Sequence, residues 1–314
     1  MANMPTDLEK QTFVRNIVST LFEKNNLGIM AQFYLTHYCD LRCPGCYMAA
    51  GPHRSRAAMP VADIDFYLSE FFKLPYFTPY VVFSGGEIFT LPVEYLEYNI
   101  KGALDLGLHV QIKTNGMWAR DARRRDAIFN MLRNLPTTNR FSMAVSVDDK
   151  IHPRASADCF VDIASRIGAD KKLSKKVALK SSGFRDGIKF FDAHVINNPR
   201  LDILDFWSND KKTIYQYQVG DAVIESFFDD FVDVNAEYGA RVTSDITINT
   251  PGGGHSVVLY FHPDGTVGFE NAAFQSIGRV PYIDAHGGYK SINTLVNEIA
   301  ARAISDYAGG THTK

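Results

Sequence analysis

Three cysteines fall within eight residues, in the run Cys39-Asp-Leu-Arg-Cys43-Pro-Gly-Cys46-Tyr47, a spacing that lets one loop wrap a face of a metal cluster with three thiolates. Soft thiolates select iron–sulfur clusters or zinc. Structural zinc takes four ligands; no second cysteine pair stands at zinc-ribbon spacing, and His37 is the candidate fourth ligand. A 4Fe-4S cluster held by three cysteines instead keeps one iron open to substrate or cofactor, which is a catalytic arrangement. Cys159 is the other cysteine of the chain. Its thiol is a competent hydrogen-atom donor, although free cysteines are often small buried hydrophobes. Three further polar segments stand just beyond apolar runs: Ser84-Gly85-Gly86-Glu87, Thr114-Asn115-Gly116 and Ser146-Val147-Asp148.

The elements that must position these residues are legible from periodicity. Strand-like runs at Gln32–Thr36, Tyr80–Phe83, His109–Lys113, Phe141–Val147, Lys176–Lys180 and Leu201–Phe206 alternate with helical stretches at 61–72, 91–106, 120–134, 156–167, after Gly187, and 221–238. Six strand–helix units with short connections require a parallel sheet with crossover helices. Six fall short of a closed eightfold barrel, so the expected class is α/β, an open partial (β/α)6 barrel with a small C-terminal β-containing extension. In such sheets ligands gather at the C-terminal strand ends, where the cysteines and the three polar segments lie. After Gly239 the pattern changes to strands at 241–249, His255–Phe261 and Thr266–Glu270, with the hairpin turn His262-Pro263-Asp264-Gly265 between the last two. The expected organisation is an N-terminal helical segment over 1–30 (helix 11–24), a core over 31–240 and an extension over 241–314.

With these motifs in place, residues 31 to 240 resemble the radical S-adenosylmethionine (radical SAM) superfamily, whose hallmark is three cysteines at this spacing followed by an aromatic residue. The resemblance implies one 4Fe-4S cluster on Cys39, Cys43 and Cys46, with S-adenosylmethionine (SAM) bound to the open iron. It also implies that Gly85, Gly86 and Glu87 receive the methionyl ammonium, since glycines allow close backbone approach and a carboxylate suits an ammonium. Ser146 and Asp148 match polar positions that contact the ribose and methionyl groups, and Arg154, after His152-Pro153, matches a partner for the methionyl carboxylate. Asn115, with Lys113, has the family's placement after the third strand, and the resemblance implies that Tyr47 packs near the adenine. The chemistry implied is reductive cleavage of SAM to a 5'-deoxyadenosyl radical that abstracts hydrogen from a substrate. The run Phe261–Val267 followed by Ile277-Gly278-Arg279-Val280 is similar to the hairpin of SPASM or twitch extensions, but without their cysteines, and is expected to cover the barrel.

Composition sets the outer bounds. A chain of 314 residues, 46% hydrophobic and 22% charged, can bury a sizeable core, which excludes intrinsic disorder. Lys and Arg number 33 against 35 Asp and Glu, and no like-charge block stands out, so neither nucleic acid nor an acidic membrane is an expected partner. No apolar run approaches the roughly 18 residues of a membrane span, and the polar start lacks a signal-peptide core, so a cytoplasmic location is expected. Expected partners are a small-molecule or short-peptide substrate and an electron donor such as flavodoxin or ferredoxin. The leading reading is a radical SAM enzyme of specialised natural-product biosynthesis, redox-neutral or reductive because no auxiliary cluster can be built from one further cysteine. The rivals are modification of a ribosomal peptide, for example epimerisation with Cys159 as hydrogen donor, and a non-catalytic iron–sulfur or zinc protein that binds or senses. Arg120–Arg125 reads as a solvated helix face, Gly252–Gly254 as a flexible connection, and Phe206, Trp207, Tyr215 and Tyr217 as core or pocket aromatics. His262 and Glu270 are candidates for substrate contacts if the hairpin folds over the barrel mouth.

Overall fold

The computed structural model describes residues 27–44, 46, 48–74, 77–148, 152–153, 155–184, 187–209, 214–229, 247–249, 255–270 and 276–308. The expected helix over 11–24, Tyr47, Arg154 and Gly252–Gly254 lie outside the described residues. Helix α1 spans Val61–Phe72 as its periodicity predicts, because Ile64, Tyr67, Leu68 and Phe71 share one stripe and all are buried. Helix α2 (Val93–Asp105) buries Leu96, Ile100, Ala103 and Leu104 and stops just before Gly107. Helix α3 (Ala122–Asn134) starts at Asp121, whose side chain accepts the N–H of Arg124 at 2.7 Å as an N-cap. Helix α4 (Ala155–Ala169) buries Phe160, Val161, Ile163 and Ile167.

The chain divides into two units that interleave along the sequence, one from residues up to 35, 57–81 and those after 232, the other from 36–56 and 82–231. In the first unit, β1 (Leu27–Tyr34) pairs in parallel with β10 (His255–Phe261) along seven positions. The predicted hairpin follows, β10 pairing with β11 (Thr266–Glu270) and β11 with β12 (Ser276–Pro281), both antiparallel, while β9 (Thr247–Asn249) lies on β10. The hairpin is thus hydrogen-bonded into the same sheet as β1. Phe33 stacks on Phe261 at 5.0 Å between ring centroids, and Tyr67 of α1 lies 4.6 Å from Phe261. His262 is buried with its ring 5.0 Å from that of Tyr34, and Glu270 ends β11. The C-terminal helix, Ile292–Ala308, buries Ile292, Leu295 and Ile299. Strand β2 (Phe77–Ser84) passes from the first unit to the second after Val81.

In the second unit β3 (His109–Thr114), β4 (Phe141–Ser146), β5 (Ala178–Phe184) and β8 (Ala222–Asp229) run parallel in that order. Strands β7 (Ile214–Val219) and β6 (Ile203–Ser208) then continue antiparallel to an open edge. Val110, Ile112, Met143, Val145, Leu179 and Ile224, one face of the parallel strands, are all buried, with α2 against β3 and α4 against β7 and β8. The class is therefore mixed α/β with a parallel-rich sheet that does not close, as the strand–helix alternation predicts.

The sixth unit is a correction. The segment expected as a helix from Asp221 is strand β8, and the neighbour of β5 is β8 instead of the strand at 203–208. The cause is period two: Tyr215, Tyr217 and Val219, then Ala222, Ile224, Ser226 and Phe228, are buried in alternation around the turn Gly220-Asp221. Tyr215 and Tyr217 are thereby core residues, whereas Phe206 and Trp207 on the edge strand are exposed. The arginine run is also only partly a solvated face, because Arg124 donates to the carbonyls of Phe89 and Leu91. Among the described residues no helix is long and apolar enough to cross a membrane.

Candidate metal and cofactor site

Every candidate metal- or cofactor-binding residue that the structure describes belongs to the second unit, whereas His262 and Glu270 belong to the first. The cysteine loop leaves the end of β1 and is stabilised mainly by its own backbone. Thr36 Oγ1 accepts the N–H of Tyr38 at 3.1 Å, Cys39 N–H donates to Gly51 O at 3.4 Å, and Cys46 N–H to Cys43 O at 3.3 Å. Arg56 closes the loop, its guanidinium 4.4 Å over the Tyr38 ring and donating to the Tyr38 hydroxyl at 2.8 Å. Cys39 is buried, and Cys43 and Cys46 are partly exposed. Burial pushes the Cys39 and Cys43 thiols up to about 12; nearby acidic groups, Glu87 and Asp40 for Cys39 and Asp148 and Asp40 for Cys43, add to the shift.

The Gly-Gly-Glu turn is joined to this loop directly. Gly86 N–H donates to Thr36 O and Glu87 N–H to Tyr38 O, each at 2.8 Å. The approach is so close that a Cβ on Gly86 would stand 2.1 Å from the Tyr38 carbonyl oxygen. Gly85 has φ 141°, a conformation that side chains with a Cβ rarely adopt. These are the physical reasons for two glycines here, and they concern the loop as much as any ligand.

Glu87, expected to receive an ammonium, is fully buried and already engaged. Its carboxylate accepts the N–H of Phe89 at 2.9 Å and of Asn115 at 2.7 Å, and the Thr114 hydroxyl at 2.8 Å. Thr114 Oγ1 in turn accepts from Gly116 N–H and Trp118 Nε1–H, so its own proton goes to Glu87. Burial pushes the Glu87 carboxyl up to about 7 against the lowering effect of these donors. Asn115 is buried, with its amide donating to Asp40 Oδ1 at 2.9 Å and lying 3.7 Å from Cys39 Sγ. A second donor, Leu41 N–H, stands 3.4 Å from the same sulfur.

At the end of β4, Ser146 is partly exposed and Asp148 is buried, its carboxylate 2.6 Å from His152 Nδ1 and accepting the N–H of His152 at 3.2 Å. Cys159 sits on the inward face of α4 beside Gly116 and Val145, and burial pushes its thiol up to about 11. Val145 and Ser146 alternate across β4, so Cys159 lies on the opposite side of that strand from Ser146.

Among the described residues no three His, Cys, Asp or Glu side chains converge to hold a single metal ion. The donor set fits a larger body: three thiolate-forming residues on one loop, no fourth, and N–H groups directed at the Cys39 sulfur, as iron–sulfur ligands carry. Sequence reasoning gave no role to Asp40, His152 or Thr114, although Thr114 stood in one of its polar segments. Thr114 and Asp40 adjoin motif residues, a signal that was present, whereas the His152 contact depends on the fold of the loop after β4.

No family model matches the chain, and no curated protein matches it. Among solved structures it is similar to SuiB of Streptococcus suis bound to S-adenosylmethionine, with 13% identity, a TM-score of 0.46, and 87% of this chain and 71% of that one covered. It is similar to methylornithine synthase (PylB) at 13% identity and a TM-score of 0.38, covering 98% and 94%. It is also similar to anSMEcpe with bound AdoMet and a peptide, at 14% identity and a TM-score of 0.34, covering 53% and 48%.

Proposed function

We propose that this chain is a radical SAM enzyme. One observation carries the reading: two motifs far apart in sequence, the three-cysteine loop and the Gly-Gly-Glu turn, are bonded to each other through Gly86 and Glu87 and to the strand-end residue Asn115. Cys39, Cys43 and Cys46 would hold a 4Fe-4S cluster, and Ser146 and Asp148 would orient the ribose and methionyl groups of SAM. Bound there, the cluster and SAM would supply reductive radical chemistry directed at a hydrogen of the substrate. The chain's own part is to fix the cofactor, exclude water and restrict the reaction to one hydrogen.

The finer reading is a small metabolite substrate in specialised biosynthesis, with electrons from a flavodoxin or ferredoxin. A redox-neutral or reductive outcome is favoured because Cys159 is the one cysteine outside the loop, which excludes a second cluster of conventional ligation within these residues. Since Cys159 packs on the opposite side of β4 from Ser146, we route no hydrogen atom through it. The test is anaerobic reconstitution, metal and sulfide analysis, and reduction in the presence of SAM. About four irons and four sulfides per chain, and 5'-deoxyadenosine on reduction, are expected. Zinc in place of iron, or no 5'-deoxyadenosine from the loaded protein, overturns the reading. Cys39→Ala, Cys43→Ala or Cys46→Ala should each remove cluster and cleavage together.

A further inference from the structure

We propose that Asn115 is a positioning residue for the cluster, its side-chain amide donating to the Cys39 thiolate and thereby raising the cluster's reduction potential. The inference rests on the cluster reading above and deepens it. The amide orientation is settled by its neighbours: Oδ1 accepts the N–H of Met117 at 2.9 Å, and Nδ2 faces the Asp40 carboxylate at 2.9 Å, so the donor end is the one 3.7 Å from Cys39 Sγ. Residue 115 cannot drift, because its backbone N–H is held by the buried carboxylate of Glu87 at 2.7 Å and the adjacent Thr114 hydroxyl bonds the same carboxylate. Among the described residues the three side-chain hydrogen bonds of Asn115 are thus to the protein, in a residue 5% exposed.

The physical consequence follows from charge. Reduction adds negative charge to the cluster and its thiolates, and N–H donors to the sulfurs stabilise the reduced form more than the oxidised one. Asn115 acts twice in that direction. It donates toward the sulfur itself, and it engages the Asp40 carboxylate, whose charge beside Cys39 disfavours further negative charge. Removing the amide withdraws both effects, so the potential must fall.

The test is an EPR-monitored redox titration of the anaerobically reconstituted full chain, wild type against Asn115→Ala, with iron and sulfide measured on both. Equal loading is expected, with a threefold to tenfold change in the one-electron equilibrium constant, about 28 to 59 mV toward lower potential. Equal potentials in two loaded proteins overturn this inference and leave the cluster reading standing. A wild type that takes up no iron and sulfide overturns both. Should Asn115→Ala fail to fold or load, pulsed EPR on reduced wild type containing side-chain-amide 15N-asparagine decides. A hyperfine coupling to that nitrogen supports the contact, and its absence overturns it.

Discussion

Glu87 accepts the backbone N–H of Asn115 at 2.7 Å, so the turn after β2 and the loop after β3 are held as one piece by a carboxylate with no solvent exposure. Burial raises the Glu87 carboxyl to about 7, above the range of an exposed glutamate. Between the unfolded and folded values the native chain binds more protons than the unfolded one. This group's contribution to stability is therefore full below about pH 4.5 and is lost as pH rises through about 7. Glu87→Gln removes that slope. The stability difference between wild type and variant should change by up to about 3 kcal/mol across the window, read as denaturation midpoints at about pH 5 and about pH 8. Parallel pH profiles would show that the donors from Phe89, Thr114 and Asn115 fully offset burial.

Two glycines with opposite surroundings give a paired prediction. Gly86→Ala places a methyl group 2.1 Å from the Tyr38 carbonyl oxygen, between two backbone segments that are hydrogen-bonded to each other. It should cost about 3 kcal/mol or more and lower cluster loading with it. Gly102, inside α2, has nothing within 4 Å of an added Cβ. Gly102→Ala should stabilise the chain by about 0.5–1 kcal/mol. Thermal melting of both variants is the measurement, and a Gly86→Ala protein as stable as wild type contradicts the close contact.

The same contrast separates what could be read in the sequence from what could not. Helix α1 and strands β10 and β11 were legible to the residue because their pattern is local: a stripe at Ile64, Tyr67, Leu68 and Phe71, and an Asp264-Gly265 turn between two strands. Strand β8 was not, because Val223-Ile-Glu-Ser-Phe-Phe suits helix and strand alike, and its partner β5 is more than forty residues distant in the chain. At the site, residue types at strand ends singled out Cys39, Glu87, Asn115 and Asp148 as candidates. Where each carboxylate points was decided by the fold around it, the end of another strand for Glu87 and the course of the loop after β4 for Asp148, which no spacing rule encodes. Glu87 turns to Thr114 and Asn115, and Asp148 to His152.

In the first unit, Asp63 of α1 accepts the hydroxyls of Tyr282 at 2.5 Å and Tyr289 at 2.6 Å, while the Tyr67 hydroxyl donates to Tyr282 O at 2.8 Å. Burial first, then the Asp63 hydrogen bond, raises the Tyr282 hydroxyl pKa; the hydrogen bond is the larger cause for Tyr289, held up at about 12, so both remain donors throughout the physiological range. Asp63→Ala strands two phenolic donors, one of them buried, and should cost about 2–4 kcal/mol. The companion Tyr282→Phe should cost less, because Asp63 keeps its bond from Tyr289. Denaturant midpoints for the two variants check the order, and a larger loss for Tyr282→Phe would reverse the assignment of Asp63 as the hub.

Asp148 and His152 offer the sharpest test of the proposed SAM site. The carboxylate is 3% exposed and is fixed twice by one residue, through the ring at 2.6 Å and the backbone N–H at 3.2 Å. A carboxylate that must present acceptors to sugar or methionyl groups gains from being pre-oriented, because the ordering is complete before the ligand arrives. Two different losses follow. Asp148→Ala removes the acceptor and should weaken SAM binding by about tenfold or more, the scale of a charged hydrogen bond. His152→Ala leaves the acceptor and removes only the ring contact at 2.6 Å, and should weaken binding by less, about threefold. Both variants keep Cys39, Cys43 and Cys46, so cluster absorbance should match wild type. Equilibrium binding of SAM to the cluster-loaded proteins gives the ranking. If His152→Ala binds as tightly as wild type while Asp148→Ala does not, the ring contact serves the loop and not the ligand. If neither variant loses affinity, the proposed contact of Asp148 with SAM is overturned.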